Sequence, residues 1–347
     1  MSGRAAIVGG GIGGLATAAC LRGHGWEVEV FERAPGPPET GTALGMWPHA
    51  LAALDTLGLG GALRAGATRQ SGGTLRRPDG TTVASLGLGG GVYLVSRPAL
   101  LKLLSGALGG TAVHYGTPVA DIRALTGYDI VVAADGANSR ARSVLFGQRY
   151  TPVPAGVTAW RGTVPGAPAV AGETWGRGAL FGITPHDDGS TNWYACVRDG
   201  DLAGTGAADD RTLLRTHFGA WHRDVRDVLA RIDAPGVLRH QLTHLVTPLP
   251  SYVRDGVALI GDAAHAMLPN LGRGACEALV DGVTLARLLV TSDRPDRALA
   301  AYDRVRRRRT QRLVRASAVL NRVALARRCT GLRDVTVRLA TAAAPRR

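Results

Sequence analysis

Lysine is almost missing from these 347 residues: Lys102 is the only one, so nearly all of the 41 basic side chains are arginine. Acidic residues are also few, 27 in all, which leaves a net charge of +14. That balance suits nucleic acid, acidic lipid or a phosphate-rich ligand. No reader motif or aromatic-interleaved basic patch accompanies it, so nucleic-acid binding is set aside. Cysteine is scarce. Cys20, Cys196, Cys276 and Cys329 lie far apart with no C-x-x-C or Cys/His cluster, which excludes a disulfide framework and a zinc site and suits a reducing cytoplasm. Long uninterrupted apolar runs are missing as well. Residues 5 to 21 have the look of a signal peptide, with Arg4 before an uncharged stretch, but glycines break it where a strand, a tight turn and a helix would use them. No other stretch nears the roughly 18 apolar residues of a membrane span. Neither a span nor membrane association is expected, and assembly stays open between monomer and homodimer.

What is present is enough apolar residue, 45%, for one large domain or two closely joined ones. Residues 4 to 8 read as a strand, 13 to 23 as a helix and 27 to 32 as a second strand, a β-α-β unit that opens a doubly wound sheet. Helices are expected at 47 to 58 and 97 to 108, and "YDIVVAADGANSR" (128 to 140) contains a strand buried on both faces. From 151 to 250 the texture changes to Gly- and Pro-punctuated alternating pieces, an antiparallel sheet with "HDDGS" (186 to 190) as a hairpin turn and a helix over 209 to 231. "GVALIGD" (256 to 262) returns to the first texture. The arginine-rich 304 to 328 reads as a packed helix with a solvated basic face, Tyr302, Val305, Ala316, Leu320 and Val323 marking its apolar side.

The chemistry sits at strand ends. Gly9, Gly11 and Gly14 form G-x-G-x-x-G between a strand and a helix, and Glu32, followed by Arg33, closes the next strand. Such a turn brings backbone close to a pyrophosphate, the helix N-terminus offers free N–H groups to it, and the acid accepts ribose hydroxyls. Two further strands end in Asp-Gly or Gly-Asp, at Asp135 and at Gly261–Asp262. In an open α/β sheet these ends border one crevice, so three carboxylate-tipped loops would converge on one elongated dinucleotide.

With its N-terminal G-x-G-x-x-G, the mid-chain loop from Asp135 to Arg142 and the late "GDAAHAMLP" from Gly261 to Pro269, the chain resembles the single-component FAD-dependent aromatic hydroxylases of the para-hydroxybenzoate hydroxylase type. The resemblance spans roughly residues 3 to 315. It implies an α/β fold: a Rossmann-like FAD-binding domain of the glutathione-reductase type (1–150 plus 251–290), an inserted antiparallel-sheet substrate domain (151–250) and C-terminal helices (291–347). It implies that Asp262 and Arg97 contact FAD, and that Asp135 and Arg142 serve the pyrophosphate side and a transient NADPH or NADH. A helix entered through Gly272 and Gly274 would point its N-terminus at the flavin. The implied reaction is hydroxylation of an aromatic or conjugated small molecule by O2 through a C4a-hydroperoxyflavin. Pocket candidates are Trp160, Arg161, Arg177, Phe181, Trp193 and Tyr194, with His49 facing in from the first domain and Arg177, Tyr194 and His49 as the catalytic set. Packing is the first reading of each, since aromatic and arginine side chains also fill sheet faces.

The sequence departs from the family pattern in places. Too few residues separate 113 from the Asp-Gly strand for the family's β-hairpin, Arg273 replaces a frequent Gln, His244 stands near a usual acid, and no second G-x-G-x-x-G serves NADPH. Flavin halogenases carry W-x-W-x-I-P where this chain has "WRGTVP", with Gly162 at the second Trp, and Lys102 in "LLKLL" is poorly placed as their lysine. Epoxidation of an alkene and a degenerate, non-catalytic flavin-binding paralogue remain as rivals.

Overall fold

The computed structural model describes residues 3–109, 113–203, 209–233 and 236–343. The first apolar run forms β1 (Arg4–Val8), the glycine turn leads into α1 (Ile12–Arg22), and β2 (Glu27–Phe31) lies parallel to β1. The chain then leaves this layer through β3 (Ala43–Met46), α2 (Pro48–Thr56), α3 (Gly60–Gly66), β4 (Thr68–Arg76), β5 (Thr82–Ser96) and α4 (Arg97–Gly106). It returns as β6 (Val113–His114) beside β2, then as β7 (Ile130–Ala133), buried at every position, on the other side of β1. After α5 (Arg140–Phe146) come β8 (Val153–Val164), β9 (Gly172–Trp175), β10 (Ala179–Pro185) and β11 (Thr191–Arg198), the last two joined antiparallel by the "HDDGS" turn. α6 (Asp199–Leu202), α7 (Asp210–Phe218), α8 (Arg223–Arg231) and β12 (Leu238–His244) complete this layer. The chain closes with β13 (Val253–Arg254), β14 (Val257–Leu259), α9 (Asp262–His265), α10 (Gly274–Thr291), α11 (Pro295–Ala324) and α12 (Thr330–Ala343).

Two sheets result. The first has the order β13-β14-β7-β1-β2-β6, parallel except for β13. Its connections step from β1 to β2 and β6 one way, then to β7 and β14 the other way. The reversal brings the carboxyl ends of β1, β7 and β14 together, the place where such sheets hold ligands. Helices α1 and α10 pack so closely that a Cβ on Gly282 would lie 2.6 Å from the carbonyl oxygen of Gly13. No strand occurs over 115–129, so β6 ends the sheet, as the short segment requires.

The second sheet has the order β12-β8-β11-β10-β9-β4-β5-β3. It is therefore not confined to 151–250, because residues 43–96 supply three of its eight strands. One face carries Trp160, Phe181, Trp193 and Ala195 against Leu214, Phe218, Trp221 and Val225 of the α7–α8 layer. Burying each of these large side chains is worth about 1.5–3 kcal/mol, so this face is a core and not a pocket. The expected single helix over 209–231 is two helices. The chain breaks at Gly219 to Trp221, where the His222 N–H donates to Pro78 O at 2.7 Å and Trp221 turns into the core.

Helix α11 also differs from expectation. Tyr302 is buried, but Val305 is 54% exposed, Ala316 is exposed and Val323 is 36% exposed. The inward stripe runs through Tyr302, Arg306, Thr310, Val314, Ser317 and Asn321, largely polar residues. The reason lies in what it faces.

Candidate functional site

The glycine turn after β1 is fixed on two sides and open on the third. Gly9 has φ +113°, and a Cβ there would stand 2.2 Å from Ala134 O; a Cβ on Gly14 would stand 2.0 Å from Gly9 O. Nothing lies within 4 Å of a Cβ on Gly11. Helix α1 has no side-chain cap, so its first N–H groups face this opening unpaired by any side chain. Glu32 stands over the turn, its Oε2 accepting from the Gly10 N–H at 2.6 Å and its Oε1 from the Ala34 N–H at 2.8 Å. Arg33 is exposed beside it.

The other two loops are stapled to each other. Asp135 accepts from the Ala141 N–H at 3.0 Å through Oδ2, while its buried Oδ1 has no partner within the protein. Arg142, 1% exposed, spends its guanidinium on carbonyl oxygens of Tyr150 (2.8 Å), Ala263 (2.9 Å), Asp262 (3.2 Å) and Ala137 (2.5 Å). Burial works against its charge, and the nearby Asp135 and Asp262 support it. Within the protein Arg142 thus has a structural contact: it locks the 135–142 loop onto the start of α9. Asp262 itself is exposed at the strand end. Its carboxyl meets solvent yet is ringed by protein, which pushes its pKa up against the pull of His265, Arg97 and Arg142. Arg97, exposed at the start of α4, therefore looks onto the same recess.

Beneath Asp262 lies a buried ionic network that the sequence did not reveal. Asp281 Oδ2 accepts from the Gly261 N–H at 2.9 Å and meets His265 Nε2 at 2.6 Å, while its Oδ1 accepts from Arg306 Nε at 2.5 Å. Arg306 also donates to Glu277 Oε2 at 2.5 Å, and His49 Nε2 stands 3.0 Å from Glu277 Oε1, off the hydrogen-bond line. Asp281 and Glu277 are 0% exposed. Burial pushes both carboxyls up, but their cationic neighbours more than reverse this, holding Asp281 below its ordinary range and Glu277 at about 2. Burial would lower His265, yet the charge of Asp281 and its hydrogen bond raise it. Arg306 in the α11 stripe serves these acids, while Tyr302 donates to Leu259 O and Thr310 bonds the Tyr252 hydroxyl. His49 belongs to this network and lines a groove of about 390 Å³ between α2 and α10, so the structure does not bring it to the pocket candidates.

The face of the second sheet turned away from α7 and α8 looks toward the Gly261–Pro269 loop, since Leu268 packs in one cluster with Leu180, Cys196 and Tyr194. Register sorts the candidates. Arg161 pairs with Tyr194, Tyr194 with Gly182 and Gly182 with Glu173, so these residues share this face, part of which clusters with Ala318, Ala324 and Leu325 of α11 and its end, whereas Trp160, Phe181 and Trp193 point the other way. Arg177 is exposed in the β9–β10 turn, beside Gly178, whose N–H donates to Ala326 O near α12, and is not gathered with Tyr194. Glu173 was missed; its spacing to Trp175 in "GETW" was the only cue.

A family described as "FAD binding domain" matches residues 126–317, and "NAD(P)-binding Rossmann-like domain" matches 7–38. The chain is 32% identical over 336 residues to the aurachin C monooxygenase/isomerase of Stigmatella aurantiaca, covering 90% of this chain and 87% of that protein. It is 31% identical to the 3-amino-4-hydroxybenzoate 2-monooxygenase of Streptomyces cremeus, with 88% and 84% covered. The chain belongs to the single-component FAD-dependent aromatic hydroxylases. Its fold matches Klebsiella pneumoniae HpxO complexed with FAD and uric acid at a TM-score of 0.86, with 23% identity and 97% and 92% of the two chains covered.

The residues of this hydroxylase fit FAD. The open Gly11 backbone, the orphaned Asp135 Oδ1 and the exposed Asp262 carboxyl all face one crevice edge. Gly272, left-handed at φ +60°, ends the turn begun at Pro269, its carbonyl accepts from Trp47 Nε1 at 3.1 Å, and α10 then starts at Gly274 with no side-chain cap. That 18-residue helix offers free N–H groups and a positive end at the mouth of the cleft.

Proposed function

We infer that this FAD-dependent hydroxylase uses NAD(P)H and O2 to place one oxygen on a small aromatic or conjugated molecule held between the Gly261–Pro269 loop and the face of the second sheet turned away from α7 and α8. The observation that carries the reading is the bonding of the Asp135 and Asp262 loops to each other at the carboxyl end of the first sheet, with Arg161 and Tyr194 together on one face of the second. FAD, when bound, supplies the redox chemistry and oxygen activation. The chain's own part is to bind, orient and keep water out. Glu32 would take the adenosine ribose, the α1 N-terminus the pyrophosphate, Asp262 the ribityl region, and the start of α10 the ring side where negative charge gathers.

Relatives named for 3-hydroxybenzoate, 3-amino-4-hydroxybenzoate and 6-methylsalicylate support an aromatic substrate with acidic groups. Arg161 agrees: it lies partly buried on that face with its Nε unpaired, and burial and the like charge of Arg97 both work against it. Acidic aromatics, with phenols and indoles as contrasts, are the panel to test by substrate-stimulated NADPH oxidation and a mass gain of one oxygen. NADPH oxidation that no compound stimulates would sink the reading, and a protein that stays colourless after FAD addition would support a non-catalytic scaffold.

Asp262→Ala tests the cofactor site directly. Asp262 accepts from Arg142 only through its backbone carbonyl, so alanine keeps the staple and removes the carboxylate. Loss of a charged hydrogen-bonding partner costs about 1.5–3 kcal/mol, so FAD affinity should fall roughly tenfold to a hundredfold in fluorescence titration. Wild-type affinity would refute the role given to this carboxylate.

A further inference from the structure

Helix α12 is built inside out. Its charged pair points inward: Arg333, 9% exposed, donates to the carbonyl oxygens of Trp175 (3.2 Å), Gly176 (3.0 Å) and Ala324 (3.1 Å), and Asp334, 4% exposed, accepts from Arg77 Nε at 2.6 Å. These bonds pin the helix to the second sheet and to the end of α11. They leave Leu332, Val335 and Leu339, spaced at i, i+3 and i+7, together on its outer side. Leu332 is 68% exposed, Leu339 63% and Val335 40%. A single exposed leucine needs no explanation, but a contiguous apolar stripe held outward by buried charges marks a contact surface.

Arginine surrounds the stripe. Between residues 304 and 338 twelve arginines stand against one acid, Asp334, which Arg77 and Arg333 already hold. Arg322 near the end of α11, Arg328 in the connection and Arg338 on α12 are exposed, and none pairs with a carboxylate among the described residues. Val319 and Val323, 55% and 36% exposed, add apolar area at the end of α11, where Arg333 ties the two helices together. We propose that the outer side of α12, with the last turns of α11, lies on an anionic lipid surface, the apolar stripe entering between headgroups and the arginines meeting lipid phosphates. A second copy of the chain fits poorly, because it would set one arginine surface against another. Nucleic acid offers the stripe no apolar contact. A specific protein partner is usually gripped through aromatic or methionine side chains, and residues 304–342 contain neither. A fluid bilayer needs only apolar area and opposite charge. No helix among the described residues is long and apolar enough to cross a membrane, so the contact is peripheral. This departs from the expectation of no membrane association, which rested on the want of a long apolar run.

The test floats the FAD-loaded full chain with vesicles of phosphatidylcholine alone and of phosphatidylcholine mixed with phosphatidylglycerol. At low salt the mixed vesicles should carry the protein upward and the neutral ones should not, and high salt should weaken the binding by screening the arginines. Leu332→Ser with Leu339→Ser removes the stripe without touching a buried residue, and should weaken binding to the mixed vesicles at least about tenfold. Arg328→Gln with Arg338→Gln should weaken it by about tenfold to thirtyfold, each arginine near such a surface being worth roughly a factor of five. Both double variants should keep wild-type helix content by circular dichroism and wild-type flavin absorbance, since all four positions are exposed. Absence of flotation with the mixed vesicles overturns the proposal, and so does equal binding to both kinds of vesicle. Undiminished binding by a folded serine variant overturns it as well. Sedimentation of the lipid-free protein closes the remaining alternative: a dimer that the serine variant abolishes would assign the stripe to a second copy and overturn the lipid contact.

Discussion

Arg306→Met is expected to destabilise the protein by about 3–5 kcal/mol, the usual cost of removing one partner from a buried ion pair. Methionine fills much of the arginine's volume, so the effect is electrostatic. Arg306 is 3% exposed and reaches both Asp281 and Glu277 at 2.5 Å. Without it, two acids that are 0% exposed keep, among the described residues, only His265 and the off-line His49 as side-chain partners. The damage should reach the cofactor, because Asp281 also accepts the Gly261 N–H that sets up the Asp262 turn. Gly261 has φ +58°, and a Cβ on it would meet Ala278 Cβ at 2.9 Å, so the turn depends on this support and on α10 together. Urea unfolding followed by flavin fluorescence and by circular dichroism should show flavin release and loss of helix both moving to lower denaturant. A change under about 1 kcal/mol would mean that water or local rearrangement compensates the acids, and the network would lose its structural importance. Combining Arg306→Met with Glu277→Gln and Asp281→Asn should recover part of the loss, since buried ion pairs are often replaceable as a set but not singly.

The FAD half of the site was readable because its signals are local. A glycine pattern between a strand and a helix, and a Gly-Asp at the end of an apolar run, each need only a few consecutive residues to declare themselves. Gly9 and Gly14 are glycines because backbone lies within 2.2 and 2.0 Å of where a Cβ would sit. The rest depended on distant partners. Strands β4 and β5 read "TRQSGGTLR" and "TVASLGLGGGVYLVS", glycine-rich and weakly alternating, and they join the second sheet through pairings with β3 and β9 that no local period announces. Alternation along β8 and β11 separates two faces but cannot say which one α7 and α8 cover. The bulky Trp160 and Trp193 went to the face that α7 and α8 cover, and Arg161 and Tyr194 to the other. Helix α11 misled for a related reason: its inward face holds Arg306 for Glu277 and Asp281 on another helix, and Tyr302 and Thr310 for Leu259 O and Tyr252.

Acid should loosen the protein through the same two carboxylates. Glu277 is held at about 2, well below its ordinary 4.5, and Asp281 is likewise depressed. In the unfolded chain both return to ordinary values, so unfolding takes up protons and acid favours it. Their contribution is whole above about pH 4.5, where even the unfolded carboxylates are ionised, and it drains away as the pH falls toward 2. At about 1.4 kcal/mol per pH unit, holding Glu277 at about 2 instead of 4.5 supplies at most about 3.5 kcal/mol, and less because His49 lies off the hydrogen-bond line. His265 acts with the opposite sign: its raised pKa gives stability that is complete below about 6.5 and is lost as the pH climbs through its folded value. The network is therefore strongest between roughly pH 4.5 and 6.5. Denaturant midpoints measured from pH 3 to 8 should fall steeply below about 4.5, and Glu277→Gln should blunt that fall while lowering the plateau. An acid limb of the same depth in that variant would show that other carboxylates, and not the pair under the Asp262 turn, set the acid limit.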